Sequence, residues 1–523
     1  MNSPLVVVCD ASNAHSRDVR RTAESLLASK VKPSHWLVLG TSIEHERITR
    51  MRTMRRSGIS VAREIVPLPS DSIVVFMRLG NALTPTALAE LQAAFADPQT
   101  QVVYGDSLHG APRRFENDAE VRRPGWSPER LRGHCYVGTL IAARLNVVEH
   151  AGGVKPLAIT HEHDRALRLC ESTTPVRLPH LLYRGESESP IPSASLHAVE
   201  EHCRRLGITA TCELDPAVPV VRVVRHMQGS PLVSAIIPTR GTRGTIAGRE
   251  VVLAAHCLRS LTSTLTYRNL ELIVVFDHDT PADARREIEA TARHDDRRVV
   301  FVDYDKPFNF AEKVNIGAAH ASGDHLLLVN DDTEVISPDA LQTMLGLLDD
   351  PTVAMAGPLL LYEDGLIQSA GHLLNPVPYD LYRHRSPEHV GAQCMLRVQR
   401  EVSGVIAAFA LIRKTAFDQV GGLCTKFPSN YNDVDFSLKL QEVGYRVVWT
   451  PHARVYHFES QTRSPLLKPF EVETIGRRWR DRLDDDPYSN PHLERYVSIW
   501  KQNVVGQESV SLALGPTAPI ASK

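Results

Sequence analysis

Between residues 231 and 460, apolar runs of strand length alternate with helical or polar stretches, and no other feature constrains the fold as strongly. Pro231-Leu-Val-Ser-Ala-Ile-Ile-Pro-Thr239 opens the series and stops at a proline, as a buried strand of a parallel sheet does. A helical stretch over 251–265 follows, then strand-like runs at 271–276, 298–302 and 325–329. The alternation predicts an α/β fold with a mixed, mostly parallel sheet. Ligands of such sheets collect at the carboxyl ends of strands. There the chain carries Thr239 and Arg240, Asp277-His278-Asp279, and Asn330-Asp331-Asp332.

The 523 residues exceed one ordinary domain of about 100–200 residues, so two or three units are expected. With 43% hydrophobic and 23% charged residues the composition is that of a globular protein rather than a disordered or fibrous one. Lys plus Arg (59) balances Asp plus Glu (61), which gives no global field to attract nucleic acid. No window reaches the ~18 apolar residues of a spanning helix. The apolar run at 4–9 is short and lacks the basic flank of a signal peptide, so a cytoplasmic protein is expected. Eight scattered cysteines without a C-x-x-C pair indicate neither a zinc ribbon nor a disulfide framework. Gly241, Gly244 and Gly248 match neither a dinucleotide fingerprint nor a phosphate-binding P-loop, so a flexible loop is expected there and a dehydrogenase is disfavoured.

Asp331 and Asp332 follow His325-Leu-Leu-Leu-Val329. Two acids there either end a strand in a polar turn or bind a divalent cation that carries a diphosphate. In Asn430-Tyr-Asn-Asp433-Val-Asp-Phe-Ser-Leu-Lys-Leu-Gln-Glu-Val-Gly444 the apolar spacing predicts a helix, with Asp433 at or just before its N-terminus. An N-cap carboxylate is one reading of Asp433; Asp435 faces elsewhere on the helix. Residues 446–449 and Pro451-His-Ala-Arg-Val-Tyr-His457 then bring a histidine to a strand end.

These residues resemble a family 2 glycosyltransferase of GT-A fold over about 231–464. The marks are Val-Ser-Ala-Ile-Ile-Pro-Thr239, Val-Val-Phe-Asp277, Phe308-Asn-Phe-Ala-Glu-Lys-Val-Asn315-Ile-Gly317, Leu-Val-Asn-Asp-Asp332, Val420-Gly-Gly422, Asn432-Asp433-Val-Asp and Tyr456-His457-Phe-Glu-Ser, in the family's order. The resemblance implies that Asp277 reads the base of a UDP-, dTDP- or GDP-linked donor and that Asp331 lies toward the ribose. Asp332 and His457 would bind Mn²⁺ or Mg²⁺, and Asp433 would be the catalytic base. Thr239, Arg240, Lys313 and Asn315 fall on the donor side, although Lys313 also suits a solvated helix face. The reaction implied is inverting transfer of one sugar to a hydroxyl of a glycan, glycolipid or protein. No Gln-x-x-Arg-Trp motif follows Asp433, so the enzyme would be non-processive. Asn330 in the acidic motif is a variant that resembles bacterial rhamnosyl- and surface-glycan transferases, while Ser369 stands where many relatives have His. The alternative is a non-catalytic carbohydrate-binding or scaffolding protein.

Residues 1–190 repeat the second half in outline and suggest a tandem GT-A-like domain that is degenerate. Arg78, Gly80 and Asn81 take the acidic positions, Leu39-Gly-Thr replaces the base-reading aspartate, and Arg184 or Gly185 stands near the histidine position. Glu162 lies where the base would be, and His161 and His163 read as solvated. The expected organisation is a degenerate domain 1–190, a linker 191–228, a catalytic domain 229–464, a helical extension 465–505 and a disordered tail 506–523. In the extension, Arg477-Arg-Trp-Arg-Asp-Arg482 suits either a solvated face or peripheral contact with lipid phosphate. Nothing in the sequence addresses oligomeric state.

Overall fold

The computed structural model describes residues 3–12, 15–40, 57–62, 64–110, 119–185, 192–294, 296–458 and 467–501. The expected tail 506–523, residues 186–190 of the expected first domain and residue 191 of the expected linker lie outside them. The first large sheet is built from β1 (Leu5–Asp10), β2 (His35–Leu39), β3 (Ser60–Ala62), β4 (Ile73–Phe76), β5 (Ala82–Leu83), β6 (Val102–His109), β7 (Ala119–Val121), β8 (Ile141–Arg144) and β9 (Val176–Gly185). A hairpin of β10 (Ala210–Leu214) and β11 (Val221–Arg225) follows. The second half contributes β12 (Val233–Thr239), β13 (Arg243–Ile246), β14 (Arg249–Val252), β15 (Leu270–Asp277), β16 (Val299–Tyr304), β17 (His325–Val329) and β18 (Thr333–Val335). It continues through β19 (Val353–Leu361), β20 (Ile367–Ser369), β21 (His372–Leu374), β22 (Pro378–Asp380), β23 (Arg400–Glu401), β24 (Phe409–Arg413) and β25 (Arg446–His457).

The two large sheets share one plan. The first runs β3-β2-β1-β4-β8-β6-β9-β5 and the second β16-β15-β12-β17-β24-β19-β25-β18. Directions match as well. The first four strands of each order are mutually parallel. β8 and β24 run antiparallel to their neighbours. β6/β9 and β19/β25 are parallel, and β5 and β18 close each sheet antiparallel to β9 and β25. Random pairing would not reproduce both order and direction across eight strands.

Every residue of β12, β15 and β17 is buried, because helices cover both faces of the sheet. Along β12 the side chains alternate: Val233, Ala235 and Ile237 join the core under the helices Leu253–Ser263, Ala282–Ala292 and Ala340–Leu348. Ile236 points the other way, to Ala311, Val314 and Ala318 of the helix Phe310–Ala319. That helix approaches closely because Gly317 has no Cβ, which would lie 2.5 Å from Ile236 Cγ2. Two sequence expectations are revised here. The Gly241–Gly248 stretch is not a flexible loop: β13 and β14 form a hairpin turning at Ala247 and Gly248, whose φ values of 49° and 75° suit a tight two-residue turn. The stretch 191–228 is no mere linker, since Ala198, Val199, Cys203, Val221 and Val223 pack into the core of the first half.

The halves are joined by buried polar contacts. Glu129 Oε1 lies 2.6 Å from both Arg132 Nη1 and Arg225 Nη2 and 3.4 Å from Arg446 Nη1. Burial pushes the Glu129 carboxyl up, but the three guanidinium groups outweigh it and hold the group well below the usual carboxylate range. Glu401 accepts from Ser127 Oγ at 2.5 Å and pairs with Arg446. The C-terminal extension completes the seam: Asn490 Nδ2 donates to Asp106 Oδ1 at 3.1 Å and to Arg123 O at 2.8 Å. A Cβ on Gly125 would sit 1.7 Å from Pro487 O. The Pro-Gly-Trp-Ser-Pro128 and Asp-Pro-Tyr-Ser-Asn490 segments are thus two sides of one seam. Among the described residues no helix is long and apolar enough to cross a membrane. Gly125→Ala should therefore lower unfolding stability by about 1–3 kcal/mol through the clash. Gly476→Ala, on a helix with nothing within 4 Å, should be neutral or stabilising by about 0.5–1 kcal/mol. Denaturant titration of both variants measures the difference.

Candidate functional site

The carboxyl ends of β12, β15 and β17 bring Thr239, Asp277 and Asp331 to one edge of the second sheet. A cavity of about 430 Å³ opens there, lined among others by Arg240, Phe308, Lys313, Asp433 and His457. Asp277 ends β15 and is 7% exposed. Its Oδ1 lies 2.9 Å from Lys313 Nζ, which also donates to Thr239 O at 3.1 Å. The sequence left open a solvated face for Lys313; instead this lysine is buried at 2% exposure. It projects from the sheet-facing side of its helix, where burial lowers its pKa and Asp277 opposes the shift. Arg240 turns outward to the rim and pairs with Asp279 at 3.3 Å.

Asp331 is buried and accepts from Thr239 Oγ1 at 2.7 Å. Burial, followed by the adjacent Asp332 charge, pushes its carboxyl up to about 7, against the pull of Thr239 and Lys313. Asp332 Oδ1 lies 3.2 Å from His457 Nε2, and both residues are buried. The antiparallel register of β18 on β25, with Thr333 opposite His457, brings them together. His457 Nδ1 lies 2.7 Å from Gln368 Oε1. An amide oxygen accepts, so Nδ1 carries the hydrogen and the Nε2 lone pair faces Asn330 and Asp332. One carboxylate oxygen and one outward imidazole nitrogen, with the ring fixed by an outer partner, fit a divalent cation whose other ligands come from a substrate diphosphate. Among the described residues, no group of three or more His, Cys, Asp and Glu is placed to hold a metal ion unaided.

Asp433 occupies the second position of the helix Asn432–Glu442, whose N-cap is Tyr431 at φ 59°. The N-cap reading of Asp433 is therefore replaced: its Oδ1 accepts from the adjacent Val434 N at 2.8 Å, and Oδ2 lies 3.4 Å from Ala407 N. Asp435 turns away and is fully buried against Trp479 Nε1 at 2.8 Å and Arg478 Nε at 3.0 Å. Arg482 also pairs with this helix, at Glu442. Arg478 and Arg482 of the basic cluster considered for lipid phosphate are thus engaged by the helix Asn432–Glu442.

A second cavity of about 300 Å³ shares Asn330, Asp433 and His457 with the first and extends past Asp332 to His372, Asp380 and Arg383. The Asn315 side chain is not among the groups lining either cavity. Its amide donates to Leu423 O and accepts from Leu423 N, each at 2.8 Å, so it anchors a loop instead of meeting a donor. Sequence reasoning singled out Ser369 and passed over its neighbour Gln368. The alternation of β20 was the available signal, since residues 368 and 369 point to opposite faces.

The first half offers a contrast in the same topology. Ala82 faces Arg184 across β5 and β9 as Thr333 faces His457 across β18 and β25, which selects Arg184 over Gly185 as the counterpart of the histidine. Asn81 precedes β5 as Asp332 precedes β18, and Arg78 forms an ion pair with Glu162. His163, expected to be solvated, is 1% exposed and packed under the first turn of its helix.

Residues 234–421 match the family model described as Glycosyl transferase family 2. Over 483 residues the chain is 30% identical to "Uncharacterized protein y4gI" of Sinorhizobium fredii, covering 85% of this chain and 50% of that protein. Over 528 residues it is 29% identical to "O-antigen biosynthesis protein RfbC" of Myxococcus xanthus, covering 94% of this chain and 40% of that protein. The chain thus spans half or less of the length of these relatives. Similar solved structures include GalNAc-T7 with UDP, GalNAc and Mn²⁺, at 15% identity and a TM-score of 0.38 over 49% of this chain and 50% of that one. Another is the mannosyltransferase PcManGT from Pyrobaculum calidifontis with GDP-Man and Mn²⁺, at 16% identity and a TM-score of 0.32 over 55% and 71%. Neither score is high enough to carry an argument. The segment 234–421 is thus similar to glycosyl transferase family 2.

Proposed function

We propose that the chain transfers a single sugar from a nucleotide-sugar donor to a hydroxyl of a glycan, glycolipid or protein, with inversion at the anomeric carbon. The observation that carries this reading is the meeting of two cavities at Asp433 and His457. One lobe, with Asp277, Arg240 and Asp331, suits a UDP-, dTDP- or GDP-linked donor. The other, with His372, Asp380 and Arg383, is open for the acceptor. Similarity to the O-antigen biosynthesis protein of Myxococcus favours a surface polysaccharide as acceptor, and the proposal includes a cytoplasmic location.

Asp277 accepts a hydrogen bond from the base, with Lys313 fixing its carboxylate, and Asp331 faces the ribose. A cation, Mn²⁺ or Mg²⁺, held by Asp332 and His457, would neutralise the charge that builds on the departing diphosphate. Asp433, which accepts from Val434 N through Oδ1 and from Ala407 N through Oδ2, lines both cavities and takes the acceptor's proton as the new bond forms. In the first half, Asn81 and Arg184 stand at the cation-binding positions and supply no carboxylate or imidazole, so that half is read as a degenerate copy that does not transfer sugar.

The test is a panel of UDP-, dTDP- and GDP-sugars with and without Mn²⁺, followed by binding and by slow donor hydrolysis. Absence of metal-dependent binding for every donor would leave the non-catalytic carbohydrate-binding alternative. Asp433→Asn should cut transfer by about 10²–10⁴-fold while donor binding persists. Gln368→Leu frees the His457 ring and should weaken Mn²⁺-dependent donor binding by about 10–100-fold, read by calorimetry. A pH prediction follows from Asp331, whose folded value of about 7 lies above the ordinary 3.8. In EDTA its contribution to stability is full below about pH 4 and is lost as the pH rises through about 7. Asp331→Asn should flatten that slope in unfolding titrations.

A further inference from the structure

The helix Pro469–Asp484 lies beyond the segment 234–421, yet its first turn holds one wall of the second cavity. Glu471, in that turn, has no exposed surface. Its Oε1 accepts from Ser429 N and from Asn430 N, each at 2.9 Å, and its Oε2 accepts from Asn430 Nδ2 at 3.0 Å. Burying an anion is costly. The three N–H donors offset that cost only while residues 429 and 430 keep the shape that aims them at one carboxylate. Carboxylate and turn therefore fix each other's position.

The turn needs such a hold, because Tyr431 stands in the left-handed region at φ 59°, where a residue with a Cβ is strained. Fixed points flank it on both sides. Upstream, Pro428 O accepts from Phe310 N at 2.9 Å, which ties the turn to the donor lobe. Downstream, Asp435 N donates to Tyr431 O at 2.9 Å and begins the helix Asn432–Glu442. Between these points the grip on Ser429 and Asn430 comes from Glu471. Ser429, Asn430, Tyr431, Asn432 and Asp433 all line the second cavity, and Asn432 and Asp433 line the first as well. A shift of the turn would carry Asp433 and the acceptor-side wall with it. Thr239, Asp277 and Asp331 belong to the sheet edge and would stay in place.

We propose that Glu471 is a positioning residue for the transfer reaction: through the turn 429–431 it sets where Asp433 meets the nucleophile. The proposal rests on the reading of Asp433 as the base. The experiment uses the whole chain with Mn²⁺ and the panel of UDP-, dTDP- and GDP-sugars, with water as the nucleophile. Calorimetry reads donor binding, and nucleotide release reads kcat and KM. Glu471→Ala should lower kcat about 10–100-fold while donor binding and KM stay within about twofold. Hydrogen exchange should rise over 429–434 in the same variant. Glu471→Gln, whose amide oxygen can still accept from both backbone N–H groups, should restore most of the rate. Arg482→Ala is the control: it breaks a contact between the same two helices at Glu442 and should leave kcat unchanged. Circular dichroism checks folding. If Glu471→Ala does not fold, Glu471→Asp, which keeps the charge but is too short to reach the turn, should show the same loss of kcat. A folded Glu471→Ala or Glu471→Asp with wild-type kcat overturns the proposal, as does a loss of rate matched by an equal loss of donor binding or an equal loss in Arg482→Ala. A wild-type protein that binds no donor, or binds one and never turns it over, overturns the reading of Asp433 itself, and the role of Glu471 falls with it.

Discussion

Two adjacent buried carboxylates at the end of β17 set the terms for everything around them. Asp331 and Asp332 repel each other in a poorly solvated place, where Thr239 donates to Asp331 and His457 lies 3.2 Å from Asp332. Lys313 is the buried cation of the donor lobe and is committed to Asp277; Thr239 gives Asp331 a hydrogen bond but no charge. A pair of acids left short of positive charge inside a fold is expensive. The proposed cation and its anionic cargo would complete the electrostatics of this pair. The surrounding strands are what make such a cluster affordable, because parallel strands buried on both faces end together at one edge and hold their terminal residues in register.

The two halves show how one strand plan can carry different chemistry. Where the second half has Asp332 opposite His457, the first has Asn81 and Arg184 at the corresponding register positions. Where Asp433 sits at the rim of an open lobe, Glu162 is held by Arg78. Guanidinium groups provide permanent positive charge inside the first half, where Arg122 pairs with the buried Asp106. The seam between the halves follows the same logic, with Glu129 surrounded by Arg132, Arg225 and Arg446. Such a network, once paired, resists separation, because either partner left alone would be a buried charge.

Much of this was legible in the residues. The apolar runs fixed which segments become strands, and the acids placed after them pointed to one sheet edge. Asp277, Asp331 and Asp332 stand at the strand ends where the pattern put them. The misreadings share a cause. His163 and Asn315 are polar residues whose burial or partners are decided by elements distant in sequence. Local composition favoured solvent for His163, and the resemblance placed Asn315 on the donor side; for Lys313 the solvated alternative gives way to burial. Likewise Gly241–Gly248 carried no apolar pattern, yet Ala247 and Gly248 could adopt the left-handed turn that closes a hairpin.

From residue order alone follow the alternation of strands and helices, the edge at which the acids gather, and the internal repeat of the outline, because each depends on spacing along the chain. The pairing of Asp332 with His457, the choice of Arg184 as its first-half counterpart, the tautomer imposed by Gln368 and the seam through Glu129 depend on contacts between residues 89 to 317 positions apart. Such contacts are set by strand register and helix packing, which no local pattern encodes.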